Sequence, residues 1–82
     1  MAEVVANLRL FGPARVAAGE TSVELDGLTV GDVLAAAEVR FGEHLAAVIA
    51  TSSIWVNGAA ASLDDQVSGA DEVSVIPPVS GG

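Results

Sequence analysis

An α+β fold, with one amphipathic helix lying across one face of a mixed sheet, is predicted by three patterns in the sequence. Apolar residues alternate with polar ones along Val4–Leu10 and again along Glu72–Ile76, the period of a half-buried strand. Val30, Val33, Leu34, Ala37 and Phe41 recur at the spacing that puts all five on one side of a helix. Asn57-Gly58, between two apolar stretches, is a tight-turn signal. The resulting order is β, β, α, β, β, β in a single unit.

The first strand places Val4, Ala6, Leu8 and Leu10 against Val5, Asn7 and Arg9, and Gly12-Pro13 turns the chain out of it. The stretch to Gly19 reads as a loop or short helical turn. Thr21–Leu25 alternates again and ends at Asp26-Gly27, which suggests an antiparallel pair with a long connection. Thr29 is a good N-cap for the helix, Asp32 gives a variant of the capping box, and Leu28 and Val33 stand at the positions of a hydrophobic staple. Gly42 fits a left-handed helix stop. The type of Glu43–Ala50 is left open by its pattern. Ile54–Val56 reads as a strand, with a return through Ala59 to Leu63. The last strand, Glu72–Ile76, ends at Pro77-Pro78, neither of which can donate a ladder hydrogen bond.

With 82 residues the chain has room for one small domain. Its 51% hydrophobic content comes mostly from 15 Ala and 13 Val, so the core is compact and not built on aromatic plates. Cysteine is absent, which excludes disulfides, thiolate metal sites and a cysteine nucleophile, and agrees with a reducing, cytoplasmic setting. No apolar run approaches the length of a membrane helix, and the N-terminus lacks the basic start of a signal peptide. Three arginines, no lysine and a net charge of −8 give no footprint for nucleic acid.

Side-chain chemistry is sparse. His44 with Glu43 supplies too few ligands for a metal, and reads as a solvent-facing residue. No serine lies in a nucleophile elbow, and His44 has no evident serine partner. Asp64/Asp65 and Asp71/Glu72 flank turns, where acids solvate easily and start turns. The glycines have no phosphate-loop spacing. Trp55 reads mainly as sheet packing, with a partner surface as the lesser alternative.

The tail, Pro77-Pro78-Val79-Ser80-Gly81-Gly82, is the remaining feature. The prolines stiffen the exit from the sheet, and six residues at about 3.1 Å each project the end by about 18 Å. Gly81 and Gly82 can thread a channel that no larger residue fits. The α-carboxylate of Gly82 stands at the tip as a distinct reactive group. A carboxylate is a poor electrophile, so acyl chemistry there requires prior activation, for example as an acyl-adenylate.

Leu8–Arg15, Thr29–Leu34, Val56-Asn57-Gly58 and, most specifically, Asp71–Gly82 ending in Pro-Pro-Val-Ser-Gly-Gly resemble the sulfur-carrier branch of the β-grasp, ubiquitin-like superfamily. The small subunits of molybdopterin synthase are the best match. The resemblance implies a β-grasp domain over residues 1–76, with four to five strands and one main helix, and a flexible tail over residues 77–82. It implies a non-catalytic carrier that binds no cofactor or metal of its own. It further implies the following sequence: a ubiquitin-activating-type adenylyltransferase uses ATP and magnesium to adenylate Gly82. A sulfur donor enzyme then supplies a persulfide that makes the thiocarboxylate. The tail, Pro77 to Gly81 included, inserts into the large synthase subunit in a heterotetramer, and sulfur passes to a pterin precursor in molybdenum cofactor biosynthesis. Phe11 and Ile76 match positions that dock the partners, although an aromatic is common where Ile76 stands.

Alternatives within the same fold are a sulfur carrier for thiamine thiazole, cysteine or another sulfur metabolite, and a ubiquitin-like protein modifier. A plain binding module with an inert tail is the remaining class. Having no lysine, the chain cannot build lysine-linked chains on itself.

Overall fold

The computed structural model describes residues 5–78. Its elements are β1 (Val5–Leu10), α1 (Pro13–Ala18), β2 (Ser22–Asp26), α2 (Val30–Phe41), α3 (Glu43–Ala50), β3 (Ser53–Val56), β4 (Ala59–Ala60) and β5 (Glu72–Ile76). The five strands form one sheet in the order β2-β1-β5-β3-β4. β1 pairs antiparallel with β2 and parallel with β5, and β5 pairs antiparallel with β3. The expected mixed sheet is therefore present.

Alternation in β1 buries Ala6, Leu8 and Leu10, and in β5 it buries Val73 and Val75. The register sets Leu8 beside Val73 and Leu10 beside Val75, so the two central strands present one continuous apolar face. Val30, Val33, Leu34 and Ala37 of α2 are buried, as their spacing predicts, and Leu45 and Ile49 of α3 complete the core. Each of these large side chains is worth about 1.5–3 kcal/mol on removal from water. With no disulfide to assist, this packing is the main source of stability.

The start of α2 explains two departures from expectation. The Thr29 hydroxyl accepts from the Asp32 N–H at 3.1 Å, and the Asp32 carboxylate accepts from the Leu28 N–H at 3.2 Å. The remaining free amides of the first turn are met from afar: Val30 N–H donates to the Asp65 carbonyl and Gly31 N–H to the Leu63 carbonyl, each at 2.9 Å. Ala61 N–H still donates to the Ile54 carbonyl, but Leu63 and Asp65 are drawn away to cap the helix, so the return strand expected through Leu63 stops at Ala60. Leu28 is exposed and does not form the expected staple with Val33. The backbone of Gly27 lies against Val33 instead, so close that a Cβ there would sit 2.8 Å from Val33 Cγ2.

Gly42 adopts φ 92° and ψ −172°, which is not the left-handed stop expected. Its N–H donates to the Glu38 carbonyl and closes α2, while its carbonyl accepts from the Ala46 N–H and opens α3. One glycine thus joins two helices. Three helices occur where one main helix was expected, and the open stretch Glu43–Ala50 is helical. β2 spans Ser22–Asp26, one residue later than expected. At the other turn, Asn57 (φ 52°) and Gly58 (φ 86°) both have positive φ, as a primed hairpin turn requires.

Candidate functional site

The site of interest is the end of the sheet where β5 runs out. β1 and β5 are parallel, and Leu10–Val75 is the last pair of their register, so Phe11 and Ile76 follow side by side at the same end. Phe11 is 40% exposed despite its size, and Ile76 is half-buried. Both expected docking residues therefore stand at the exit of the tail. Pro77 is half-buried and Pro78 exposed. Val79, Ser80, Gly81 and Gly82, the rest of the expected tail, lie outside the described residues.

Gly12 makes this end possible. Its φ of 53° with ψ −128° is a backbone conformation open mainly to glycine, and a Cβ there would be 3.9 Å from Pro77 Cγ. The chain can thus turn from β1 directly into α1, with Pro13 at the first helical turn, beside the root of the tail.

The sheet face turned away from the helices joins Phe11 and Ile76 to Arg9 and Ser74, not singled out in the sequence, and to Trp55, for which a partner surface was the lesser alternative. Arg9 stands beside Ser74, and Ser74 beside Trp55, in one row across β1, β5 and β3. The Arg9 guanidinium lies 5.5 Å from the centre of the Phe11 ring and 3.7 Å from the Glu72 carboxylate. It thereby stands over the face of the aromatic ring. Trp55 is half-buried on this open face, while its neighbours Ile54 and Val56 stand in register with core-facing Val75 and Val73. The alternation of β3 contained this signal, since Trp55 has the opposite parity to both neighbours.

On the helical side of the tail root there is a groove of about 370 Å³. Ala47, Val48 and Thr51 of the α3 end line it together with His44, and Pro13, Pro77 and Pro78 close it. His44 is exposed, as expected. Only the helical assignment of residues 43–50 brings these side chains together, which is why the sequence left the groove unseen.

The acidic pairs act as turn devices. Ser62 N–H donates to the Asp65 carboxylate at 3.0 Å, and Ser68 N–H to that of Asp71 at 2.8 Å. Asp71 also accepts from the Asn57 amide, and this bond, with that from Ser68, holds its carboxyl below the ordinary carboxylate range. Among the described residues there is no cluster of three or more His, Cys, Asp or Glu able to hold a metal, and no helix long and apolar enough to cross a membrane. Among the described residues, what this end of the sheet offers is exposed apolar and aromatic surface around the point where the chain leaves β5.

Comparison with known proteins gives the same picture. The chain is similar to SAMP1 from Haloferax volcanii, with 30% identity and a TM-score of 0.83 over 95% of this chain and 99% of that one. It is similar to small archaeal modifier protein 1 from Methanosarcina acetivorans, with 27% identity and a TM-score of 0.87 over 100% of both chains. It is also similar to the putative molybdopterin converting factor, subunit 1 from Pyrococcus furiosus, with 28% identity and a TM-score of 0.81 over 93% of this chain and 99% of that one. No curated protein matches. The ThiS family model matches residues 8–82, from β1 through the Gly-Gly end, and the chain belongs to the ThiS family, with the β-grasp fold of sulfur carriers and ubiquitin-like proteins.

Proposed function

We propose that this protein carries sulfur as a thiocarboxylate on Gly82 and donates it in molybdopterin biosynthesis, as the small subunit of a synthase whose large subunit supplies the catalytic side chains. The observation that supports this reading best is the exit of β5. Ile76 ends the strand beside Phe11, and Pro77-Pro78 lead into Val-Ser-Gly-Gly, within the span matched by the family model. The similar protein from Pyrococcus furiosus, described as a putative molybdopterin converting factor subunit, favours the molybdopterin pathway.

Activation begins when the Gly82 carboxylate oxygen attacks the α-phosphorus of ATP bound with magnesium to an adenylyltransferase, forming the acyl-adenylate and releasing pyrophosphate. The terminal sulfur of a donor persulfide attacks the acyl carbon and AMP leaves. A thiol then cleaves the acyl disulfide, leaving the thiocarboxylate on Gly82 and a disulfide on the donor side. Within this scheme the chain's own residues recognise and present. The apolar face of Phe11, Ile76 and Trp55 docks the partner, and the prolines aim the tail. Gly81 and Gly82, lacking Cβ atoms, pass through a narrow channel. Trp55 contributes the aromatic area that Ile76 lacks.

Intact-mass spectrometry of the protein from its native host tests this reading. The expected result is a species heavier by the exchange of one oxygen for sulfur, lost on treatment with an alkylating reagent that derivatises the thioacid. Free carboxylate alone under sulfur-replete conditions, with molybdenum cofactor formation intact after deletion of Gly82, would overturn it.

A second reading is a protein modifier joined through Gly82 to lysines of other proteins, favoured by the likeness to two small archaeal modifier proteins. Trypsin distinguishes it. With no lysine in the chain and Arg40 its last arginine, a modified target lysine would retain the whole segment from Phe41 to Gly82.

A further inference from the structure

The root of the tail lies between two surfaces, and only the open sheet face has a role in the function proposed above. We infer that the groove on the helical side is a second docking site, occupied by an apolar side chain from the rim of the enzyme that activates the Gly82 carboxylate. This rests on the carrier reading, and three observations support it.

First, the reach is short. Gly82 is four residues beyond Pro78, and four residues span at most about 14 Å even when fully extended. An enzyme that encloses the carboxylate and excludes water must therefore bring its surface close to Pro78, which forms a wall of the groove. Activation is also the step shared by every use of Gly82, whether sulfur or an amine is the acceptor, so this enzyme is the partner that each reading requires.

Second, the lining chemistry selects the occupant. Ala47, Val48 and the prolines make an apolar floor, with His44 and Thr51 as its polar members. Although the chain is highly acidic, no acidic side chain among the described residues lines it. An apolar pocket edged by polar groups is the usual setting of an interface anchor residue.

Third, the walls are stiff. Proline fixes φ at both Pro77 and Pro78, so a group seated between them and α3 also fixes the direction in which the tail leaves. Occupancy of the groove then orients Gly82 as well as adding contact area.

The experiment is ATP–pyrophosphate exchange by the adenylyltransferase of the source organism, with the full chain as substrate. Ala47→Glu and Ala47→Lys block the groove with opposite charges, and Val39→Glu on the exposed side of α2 is the control. Ala47 is an exposed helical position, and thermal melts verify that each variant is folded. Both charged variants are expected to raise KM about tenfold, the loss of roughly 1.4 kcal/mol of docking free energy, with kcat held within about twofold. Val39→Glu is expected to match the wild type. Wild-type kinetics for both charged Ala47 variants would overturn the groove inference and leave the carrier reading intact. An effect of one charge sign alone would make the contact electrostatic and overturn the apolar occupant. Absence of exchange with the wild-type chain would overturn the carrier reading itself.

Discussion

Asn57 and Asp71, fourteen residues apart, are joined by a 2.8 Å hydrogen bond from the Asn57 amide to the Asp71 carboxylate, at the end of the sheet opposite the tail. The same Asn57 side chain accepts from the Glu72 N–H at 2.9 Å, and its backbone N–H donates to the Glu72 carbonyl at 3.0 Å. Asp71 in turn gathers Ser68 and, through its carbonyl, the Asn7 N–H of β1. One turn residue therefore ties β3 to the start of β5, and fixes the register that later delivers Ile76 beside Phe11.

This geometry separates two costs at Asn57. Substitution by Gly loses the side-chain bonds but tolerates φ 52°, whereas Ala loses them and also holds a left-handed conformation. Asn57→Ala is expected to be less stable than Asn57→Gly by about 1–2 kcal/mol in urea unfolding. Equal stabilities would mean that the turn relaxes out of the left-handed region without loss.

The Asp71 contacts give a pH signature. Its folded pKa lies below the ordinary value of 3.8 because the bonds from Asn57 and Ser68 favour the charged form. The stabilisation is thus fully present above the ordinary value and is lost as pH falls through the lower folded value. Wild type and Asp71→Asn, compared by urea unfolding from neutral to strongly acidic pH, are expected to differ most at neutral pH, to approach each other once pH falls under the ordinary value, and to converge below the lower folded value. A constant gap at all pH values would show that the carboxylate's charge is not what matters.

Much of the fold was legible because local signals agreed with the tertiary outcome. Thr29 and Asp32 cap α2 as their sequence spacing implies, and β5 ends where Pro77 must end it. The return strand was over-read because Leu63 and Asp65 serve the amides of Val30 and Gly31, a contact across more than thirty residues that no local pattern records. Helix α3 was ambiguous because Glu43–Ala50 is short and alanine-rich, and its independence from α2 depends on the unusual backbone of Gly42. The tail stood out as a motif in the sequence, and its two docking candidates, Phe11 and Ile76, came from the family resemblance. The groove was not, since it exists only where α3, α1 and the two prolines converge.

Gly27 is the tightest glycine in the described fold. A Cβ there would meet both Val33 Cγ2 and the Val33 backbone nitrogen at 2.8 Å, so Gly27→Ala must displace the first turn of α2. The expected cost is about 1–3 kcal/mol, in the range of overpacking. Val33→Ala in the same chain removes the side-chain clash but not the backbone one, so thermal melts of the double variant are expected to show only partial relief. Full relief would locate the strain in the Val33 methyl group alone.

Trp55 offers a direct reading of docking on the open face. It is the only tryptophan, it is half-buried, and it shares its row with Ser74 and Arg9, close to the exit of the tail. A partner that covers Phe11 and Ile76 excludes water from the indole as well, so emission is expected to shift to shorter wavelength as an adenylyltransferase lacking tryptophan is titrated in. Trp55→Phe retains part of the apolar area, whereas Trp55→Ala removes it and is expected to weaken binding by about 2 kcal/mol, the scale of an interface anchor. Arg9→Ala breaks only an exposed ion pair and a ring contact, and its own folding stability is expected to change by less than about 1 kcal/mol. A silent indole and unchanged affinity in Trp55→Ala would place docking on the helical side of the tail alone, and would assign β3 a purely structural role.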